Sequence, residues 1–215
     1  MMNDHDPAAT SRRFLLRAAA APGFLLSKPA LPAEVGGNVF GPMPGYSPQI
    51  GILVSEMTWM RGAVLRAVKD LKQDQLDFLL DDKANRIGAL ILHLAATERL
   101  YQIATFDNVG AKDVFKNPAF KDWVVPMNLG PPARESIKGH DLDFYLNHLK
   151  ENRDKTLAEF RKRDDEWLMA VDKSWAWGPT NNLCKWFHVC EHESHHAGQI
   201  SLIRGRLPGA KAENG

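Results

Sequence analysis

The sequence predicts an all-α protein, a four-helix bundle with up-down-down-up topology. Apolar residues recur at steps of three and four in four long segments, which is the period of one helix face. A stretch rich in proline and glycine, residues 107–140, separates the second segment from the third. It is too long for a hairpin connection and long enough to return along a whole helix. We therefore expect the second and third helices to run parallel, joined by a long crossover.

The four predicted helices differ in where their apolar residues lie. The first, residues 47–71, begins with Ser47-Pro48 as N-cap and first-turn pair and carries one apolar stripe. The second, residues 85–106, is apolar nearly all round in its middle and should be deeply buried. The third, residues 141–171, has a heavily charged outer face. The fourth, residues 182–206, ends before a Pro-Gly pair.

The crossover contains large apolar side chains among its polar residues. We expect them to anchor it as a lid over one end of the bundle. They are Phe115, Phe120, Trp123 and Val124.

Composition limits the classes of function. The 215 residues are 44 % hydrophobic and 25 % charged, and no apolar run is long enough to span a bilayer, so we expect one soluble domain without a stable membrane anchor. The net charge is +1 and charges of both signs are mixed along the chain, which argues against a nucleic-acid partner. The partners we expect are a small-molecule substrate and, as an alternative to a monomer, a second copy of the chain in a homodimer.

The N-terminal residues 1–33 resemble a twin-arginine export signal. The segment from Ser11 to Arg17 contains Arg12-Arg13, an apolar run follows at residues 18–26, and a small-residue stretch that a signal peptidase could cut comes next. We expect export to the periplasm. The alternatives are a disordered basic N-terminus or an amphipathic helix on a cytoplasmic protein.

The rest of the chain is divided accordingly. We expect a linker at residues 34–46, a metal-binding bundle at residues 47–207 and a flexible tail at residues 208–215.

Histidines concentrate in the last predicted helix, where residues 188–196 hold four of the eight in the chain. His192 and His196 lie one turn apart on one face, which is how two imidazoles converge on one divalent metal. A third candidate ligand is His93, in the apolar middle of the second helix. A buried imidazole without a partner costs about 1–3 kcal/mol, so His93 is either a ligand or a hydrogen-bonded core residue.

Other residues of the last helix are candidates for supporting roles. His188 is one turn before His192 and could serve as a hydrogen-bond donor or an alternative ligand. Glu191 and Glu193 are either solvated helix charges or groups that orient a ligand imidazole or shuttle a proton, and Glu193 is our candidate catalytic residue. We expect Gln199 to hydrogen-bond nearby and Gly198 to allow close helix packing.

The same segment matches the His-Glu-x-x-His pattern of zinc metalloproteases, with Glu193 as the general base. Such enzymes usually take a third ligand from beyond this motif. Only 19 residues follow His196, and they include no histidine and a single glutamate, Glu213. A metalloprotease is therefore disfavoured.

Two segments together resemble the DinB-like metal-binding superfamily, which includes bacterial thiol S-transferases. The first contains Lys83-Ala84-Asn85-Arg86-Ile87-Gly88, Leu92-His93-Leu94-Ala95 and Glu98-Arg99, and the second runs from His188 to Ile200. The resemblance covers most of residues 47–207, and its most specific part is the histidine pair followed by Gly198-Gln199-Ile200. It implies an up-down-down-up bundle with a divalent metal held by the three candidate histidine ligands.

Three neutral imidazoles and an open position suit zinc best, although nickel, iron and copper also accept imidazole. Such a metal lowers the pKa of a bound water or thiol, which predicts a hydrolase or a thiol S-transferase. Export weighs against thiol transfer, because low-molecular-weight thiols are chiefly cytoplasmic. The alternatives are a non-catalytic metal-binding or stress-associated module, or a metal-free bundle that dimerises.

Overall fold

The computed structural model describes residues 39–210. In chain order the elements are α1 (Pro48–Val68), α2 (Gln73–Leu76), α3 (Ile87–Thr105), α4 (Ala111–Val114), a 3-10 helix (Pro118–Trp123), α5 (Val124–Asn128), α6 (Gly130–Ser136), α7 (Leu142–Phe160), α8 (Asp165–Met169), β1 (Val171–Asp172), β2 (Thr180–Asn181) and α9 (Asn182–Arg204). The two short strands pair antiparallel. No helix within this range is long and apolar enough to cross a membrane. The predicted export signal, the first part of the linker and the end of the tail lie outside the described residues.

Pairs of contacting residues give the direction of the second and third long helices. Near the start of both helices, a Cβ added to Gly88 would lie 2.5 Å from Cζ of Tyr145, so the absence of a side chain lets α3 and α7 approach closely. Further along both, Nε2 of Gln102 donates to Oγ1 of Thr156 at 2.9 Å. From the first contact to the second, the residue numbers increase along both helices, so α3 and α7 are parallel.

The first and last helices are parallel too. Nε of Arg61 donates to Oε1 of Glu193 at 3.0 Å, and farther along both helices Nη1 of Arg204 donates to the carbonyl of Ala67 at 2.9 Å. In contrast, α9 runs antiparallel to α3, because His188 near the start of α9 contacts Tyr101 near the end of α3. The predicted all-α, up-down-down-up bundle is confirmed.

The central helix of the bundle is α3. Every residue of α3 except Arg99 is buried, as its nearly uniform apolar sequence predicts. The largest fully buried side chains around it are aromatic, and burying one such side chain contributes about 1.5–3 kcal/mol. They are Trp186, Tyr145, Phe120 and Phe160.

The predicted third helix, residues 141–171, is too long, because the last third of this range does not belong to α7. Helix α7 ends at Phe160, and a new short helix, α8, begins after Asp164. The carboxylate of Asp164 accepts a hydrogen bond from the backbone N–H of Trp167 at 2.8 Å, which caps α8. An aspartate at an N-cap favours a helix start, and the apolar periodicity alone does not reveal this break.

The following residue, Asp165, holds the start of α1. Its Oδ1 accepts hydrogen bonds from Oγ of Ser47 at 2.6 Å and from the backbone N–H groups of Gln49 and Ile50 at 3.0 and 3.3 Å. The first N–H groups of a helix have no partner within the helix, and a negative charge there is favourable. The N-cap position predicted at Ser47 is correct, but the capping carboxylate comes from α8.

The crossover runs along the side of the bundle, which differs from the expected lid over one end. It leaves α3 at its C-terminal end, contacts the middle of α3 through Pro126 and Met127, and reaches the N-terminal side of α3 where the N–H of Gly130 donates to Oδ1 of Asn85. Phe120 anchors it in the core, whereas Phe115 is 42 % exposed. Apolar side chains point outward all around α3, so the side of this helix must be shielded from water as well as its end.

Four charged residues join the four long helices, and three of them are buried while Arg61 is 11 % exposed. Arg61 of α1 and Arg153 of α7 each contact both Glu98 of α3 and Glu193 of α9, with N–O distances of 2.6–2.9 Å. The two positive and two negative charges balance. Burial raises the pKa of Glu98, but the nearby Arg153 and Arg61 outweigh this and hold the pKa below its ordinary value. We call these four residues the ion cluster.

Replacing Glu98 with Gln should therefore lower the free energy of unfolding by about 3–5 kcal/mol, because it leaves buried guanidinium groups without their balancing charge. Urea unfolding at pH 7 measures this. The matched control is Asp154→Asn, which removes the exposed pair between Lys150 and Asp154 on α7 and should cost no more than about 0.5 kcal/mol. Equal losses in the two variants would contradict a central role for the ion cluster.

Candidate metal centre

The structure brings His93, His192 and His196 together between α3 and α9. Nε2 of His192 lies 2.8 Å from Nε2 of His93 and 3.1 Å from Nε2 of His196. One ligand atom from each of the three lies within 4.8 Å of the others, and no other such trio occurs in the described range. Two of the positions are one turn apart on α9, as the sequence spacing predicts. The third comes from the middle of α3, which crosses this part of α9.

The rings of His93 and His196 each make a hydrogen bond through Nδ1, and this bond orients the Nε2 atom of the same ring. Nδ1 of His93 lies 3.0 Å from the carbonyl oxygen of Pro126, which can only accept, so Nδ1–H donates and Nε2 keeps a lone pair. Nδ1 of His196 lies 2.8 Å from Oε1 of Gln199, which fixes that ring in the same way. Sequence reasoning placed Gln199 near the site. It missed Pro126, because a backbone carbonyl has no signature in the residue type.

The three imidazoles are held neutral. Burial lowers the pKa of His93 despite hydrogen bonds to the backbone of Pro126 and Met127, which raise it. Burial, and then the neighbouring His196 and His93, lower the pKa of His192 to about 3. Burial and His93 lower the pKa of His196 to about 4. At neutral pH all three lone pairs are free of protons, which is the form that binds a metal.

This donor set fits a divalent metal. Two nitrogens bound tetrahedrally at about 2.0–2.1 Å from a metal lie about 3.3 Å apart, and the 2.8 and 3.1 Å separations here are near that value. Three neutral nitrogen ligands add no negative charge. A cation held by them would keep its full charge for a further ligand.

His188 and Glu191 differ in how they relate to the trio. The ring of His188 lies 5.2 Å from that of His192, and its Nδ1 is 2.9 Å from the hydroxyl of Tyr101. Burial lowers the pKa of His188 although Glu191 raises it. Glu191 itself is exposed on the outer face of α9. His188 is thus placed for a supporting role beside the trio, and Glu191 influences His188 through its charge.

The catalytic interpretation of Glu193 needs correction. Its side chain is 2 % exposed and belongs to the ion cluster, where Oε1 accepts from both Arg61 and Arg153. Both guanidinium groups come from other helices, Arg61 from α1 and Arg153 from α7, so this carboxylate oxygen is already engaged in two ion pairs. In a His-Glu-x-x-His protease this residue acts at the metal. The packing of Glu193 among charges from α1 and α7 therefore removes the basis of the protease interpretation.

The surroundings of Gly198 differ from expectation. A Cβ added to Gly198 would meet no atom within 4 Å, so this glycine does not serve close packing, and the close approach occurs at Gly88. The two cysteines are both free, with Cys184 exposed and Cys190 buried.

The metal-free protein should lose stability as the pH falls from about 6.5 to about 4. The folded-state pKa values of His192 and His196 are about 3 and about 4, whereas unfolded histidines titrate near 6.5, so only the unfolded chain binds these protons in that window. The loss is up to about 1.4 kcal/mol per pH unit for each histidine. Urea unfolding in the presence of a chelator at pH 7, 6 and 5 tests this.

In the same series of measurements, the free energy of unfolding of His192→Gln should depend less steeply on pH, by the contribution of one histidine. The control variant His140→Gln changes a histidine that is exposed and stacked on Phe144. A slope that is the same in wild type and His192→Gln would show that His192 titrates normally.

Comparison with known proteins agrees with this arrangement. The model of the mycothiol-S-transferase family matches residues 52–209, a range that includes all of α3, α7 and α9, all of α1 but its first four residues, and all three histidines of the trio. No curated protein matches the chain. The match covers well over half of the chain, and the chain therefore belongs to the mycothiol-S-transferase family, a family of DinB-like proteins.

Proposed function

We propose that this protein is a metal-dependent thiol S-transferase. The observation that carries the proposal is the convergence of three neutral imidazole nitrogens on one point, each from a helix of the rigid bundle. The family's name supplies the thiol class, because mycothiol is a low-molecular-weight thiol. Zinc is the metal we expect first, since it favours nitrogen ligands and four-coordinate sites, with nickel or iron as alternatives.

The residues of the site would act by binding and orienting. His93, His192 and His196 would hold the metal, while Pro126 and Gln199 keep the ligand rings of His93 and His196 turned toward it. A bound divalent metal lowers the pKa of a coordinated thiol or water and so makes a nucleophile available near neutral pH. In the transfer, the thiol sulfur forms a bond to carbon of an electrophile, the leaving group departs with its electron pair, and the thiol proton passes to solvent.

Hydrolysis is the second candidate for the same site, because water can take the place of the thiol. The family match favours the thiol. A direct comparison of the rate of thioether formation with the rate of substrate hydrolysis separates the two reactions.

Metal content and activity of histidine variants test the proposal. His93→Ala and His196→Ala should each lose most of the bound metal and at least about 100-fold of the thiol-transfer rate, because two imidazoles hold a divalent metal much more weakly than three. Metal is measured by elemental analysis, and activity by thioether formation between mycothiol and 1-chloro-2,4-dinitrobenzene.

The control is His195→Ala, an exposed histidine next to the trio on α9, which should keep its metal and its rate. Unchanged metal content in His93→Ala and His196→Ala would refute the site. Full metal occupancy without thiol transfer or hydrolysis would point to a non-catalytic metal-binding module.

We also propose that Arg12 and Arg13 direct export by the twin-arginine route, which carries proteins that have already folded. Export would favour hydrolysis over thiol transfer at the same metal site, because low-molecular-weight thiols are chiefly cytoplasmic, so this test also weighs the two candidate reactions. The support is the order of the arginine pair, the apolar run and the small-residue stretch in residues 1–33. Replacing both arginines with lysine should leave the protein in the cytoplasm with its signal uncut. Cell fractionation and the mass of the purified chain measure this, and an unchanged periplasmic fraction would contradict the proposal.

A further inference from the structure

A cavity of about 520 Å³ lies between α3, the crossover and the loop that joins β1 to β2. Its size is within the range of about 300–1,000 Å³ that is usual for small-molecule sites. The lining is mainly apolar and aromatic. Its large side chains are Leu100, Tyr101, Phe115, Met127, Trp175 and Trp177.

The cavity adjoins the candidate metal centre on two sides. Thr97 lines it and lies one turn after His93, whose carbonyl accepts a hydrogen bond from Oγ1 of Thr97 at 2.9 Å. On the α9 side the cavity is lined by His188, whose ring is 5.2 Å from that of His192. A molecule in this cavity would therefore be separated from the trio by one layer of side chains, which includes Thr97 and His188.

The aromatic side chains of the cavity wall pack against one another. The ring of Trp175 is 6 % exposed, lies 5.7 Å from the ring of Tyr101 and has Nζ of Lys185 4.4 Å from its centre. Trp177 packs edge-on against Trp175 at 5.9 Å and contacts the ring of His188 at 5.0 Å. Rings that already pack against one another favour a flat ligand, because a ligand that stacks on them has to immobilise few further side chains.

The outer part of the cavity leaves apolar surface exposed. Trp177 is 56 % exposed and Phe115 is 42 % exposed, and they lie in different segments on the rim. The charge at this rim has one sign, because Lys112 is the charged residue in the lining and no carboxylate lines the cavity in the described range. Such a lining disfavours cations and suits a neutral or anionic molecule.

We infer that this cavity binds the electrophile, and that the electrophile is a planar aromatic compound that is neutral or carries an acidic substituent near Lys112. This inference rests on the proposed thiol transfer. With 1-chloro-2,4-dinitrobenzene as the probe, the sulfur–carbon bond forms at the ring carbon, the carbon–chlorine bond breaks, chloride leaves with the electron pair and the thiol proton is released. Trp177 and Phe115 are the specificity-determining residues.

The first test measures binding without catalysis, using the full chain and the planar anion 1-anilinonaphthalene-8-sulfonate. Trp177→Ala and Phe115→Ala should each raise the Kd of this probe about fivefold, read by its fluorescence. The matched control is Phe187→Ala, because Phe187 is 55 % exposed on α9 and lines a different groove. Equal thermal midpoints of the variants exclude unfolding as the cause.

The charge at the rim is tested in the same way. Lys112→Gln should raise the Kd of the anionic probe about threefold, an effect that added salt removes. Lys116→Gln is the control, because Lys116 lies in the same segment but pairs with Asp113 at 3.1 Å and does not line the cavity.

The second test uses the metal-loaded enzyme. Trp177→Ala should raise the KM for 1-chloro-2,4-dinitrobenzene about fivefold and leave the KM for iodoacetamide, which has no ring, unchanged. Unchanged probe binding in Trp177→Ala and Phe115→Ala, or an equal loss in Phe187→Ala, would overturn the assignment of the cavity. His196→Ala should lose thiol transfer but bind the probe as wild type does, because His196 is not in the cavity lining. A wild-type, metal-loaded enzyme that binds the probe but transfers no thiol would refute the proposed function and not the aromatic cavity.

Discussion

The balanced set of buried charges formed by Arg61, Glu98, Arg153 and Glu193 constrains the rest of the structure. Each long helix contributes one member, so the register of all four is fixed by a single set of contacts. A helix that slides or rotates by one residue would leave a charge buried without its partner, and such a charge costs several kcal/mol. Glu193 directly follows His192 in the chain. Because Glu193 is held between α1 and α7, the rotation of α9 is set, and its histidine pair faces α3.

Much of the fold and of the metal centre could be predicted from local sequence. Helical periodicity depends on neighbours three and four residues apart, so the four long helices are visible without knowledge of their packing. The spacing of His192 and His196 likewise shows, without knowledge of the packing, that both lie on one face of a helix. His93 was identifiable because an imidazole within an apolar segment needs a partner, and the histidine-rich last helix offers one.

The features that local sequence did not reveal depend on distant residues. Glu193 has the spacing of a catalytic glutamate, and only the positions of Arg61 and Arg153, on two other helices, show that it is engaged elsewhere. The end of α7 at Phe160 depends on the competing helix start at Asp164, since charged residues continue through both. The path of the crossover depends on the shape of the whole of α3, which is buried on nearly every face.

One contact of the crossover has a wider consequence. The carbonyl of Pro126 accepts from His93, and the neighbouring Met127 lines the aromatic cavity, so a single short helix touches both the ligand set and the space beside it. A substitution in α5 would therefore disturb the ring of His93 and the wall of the cavity together, although no side chain of α5 is among the candidate metal ligands.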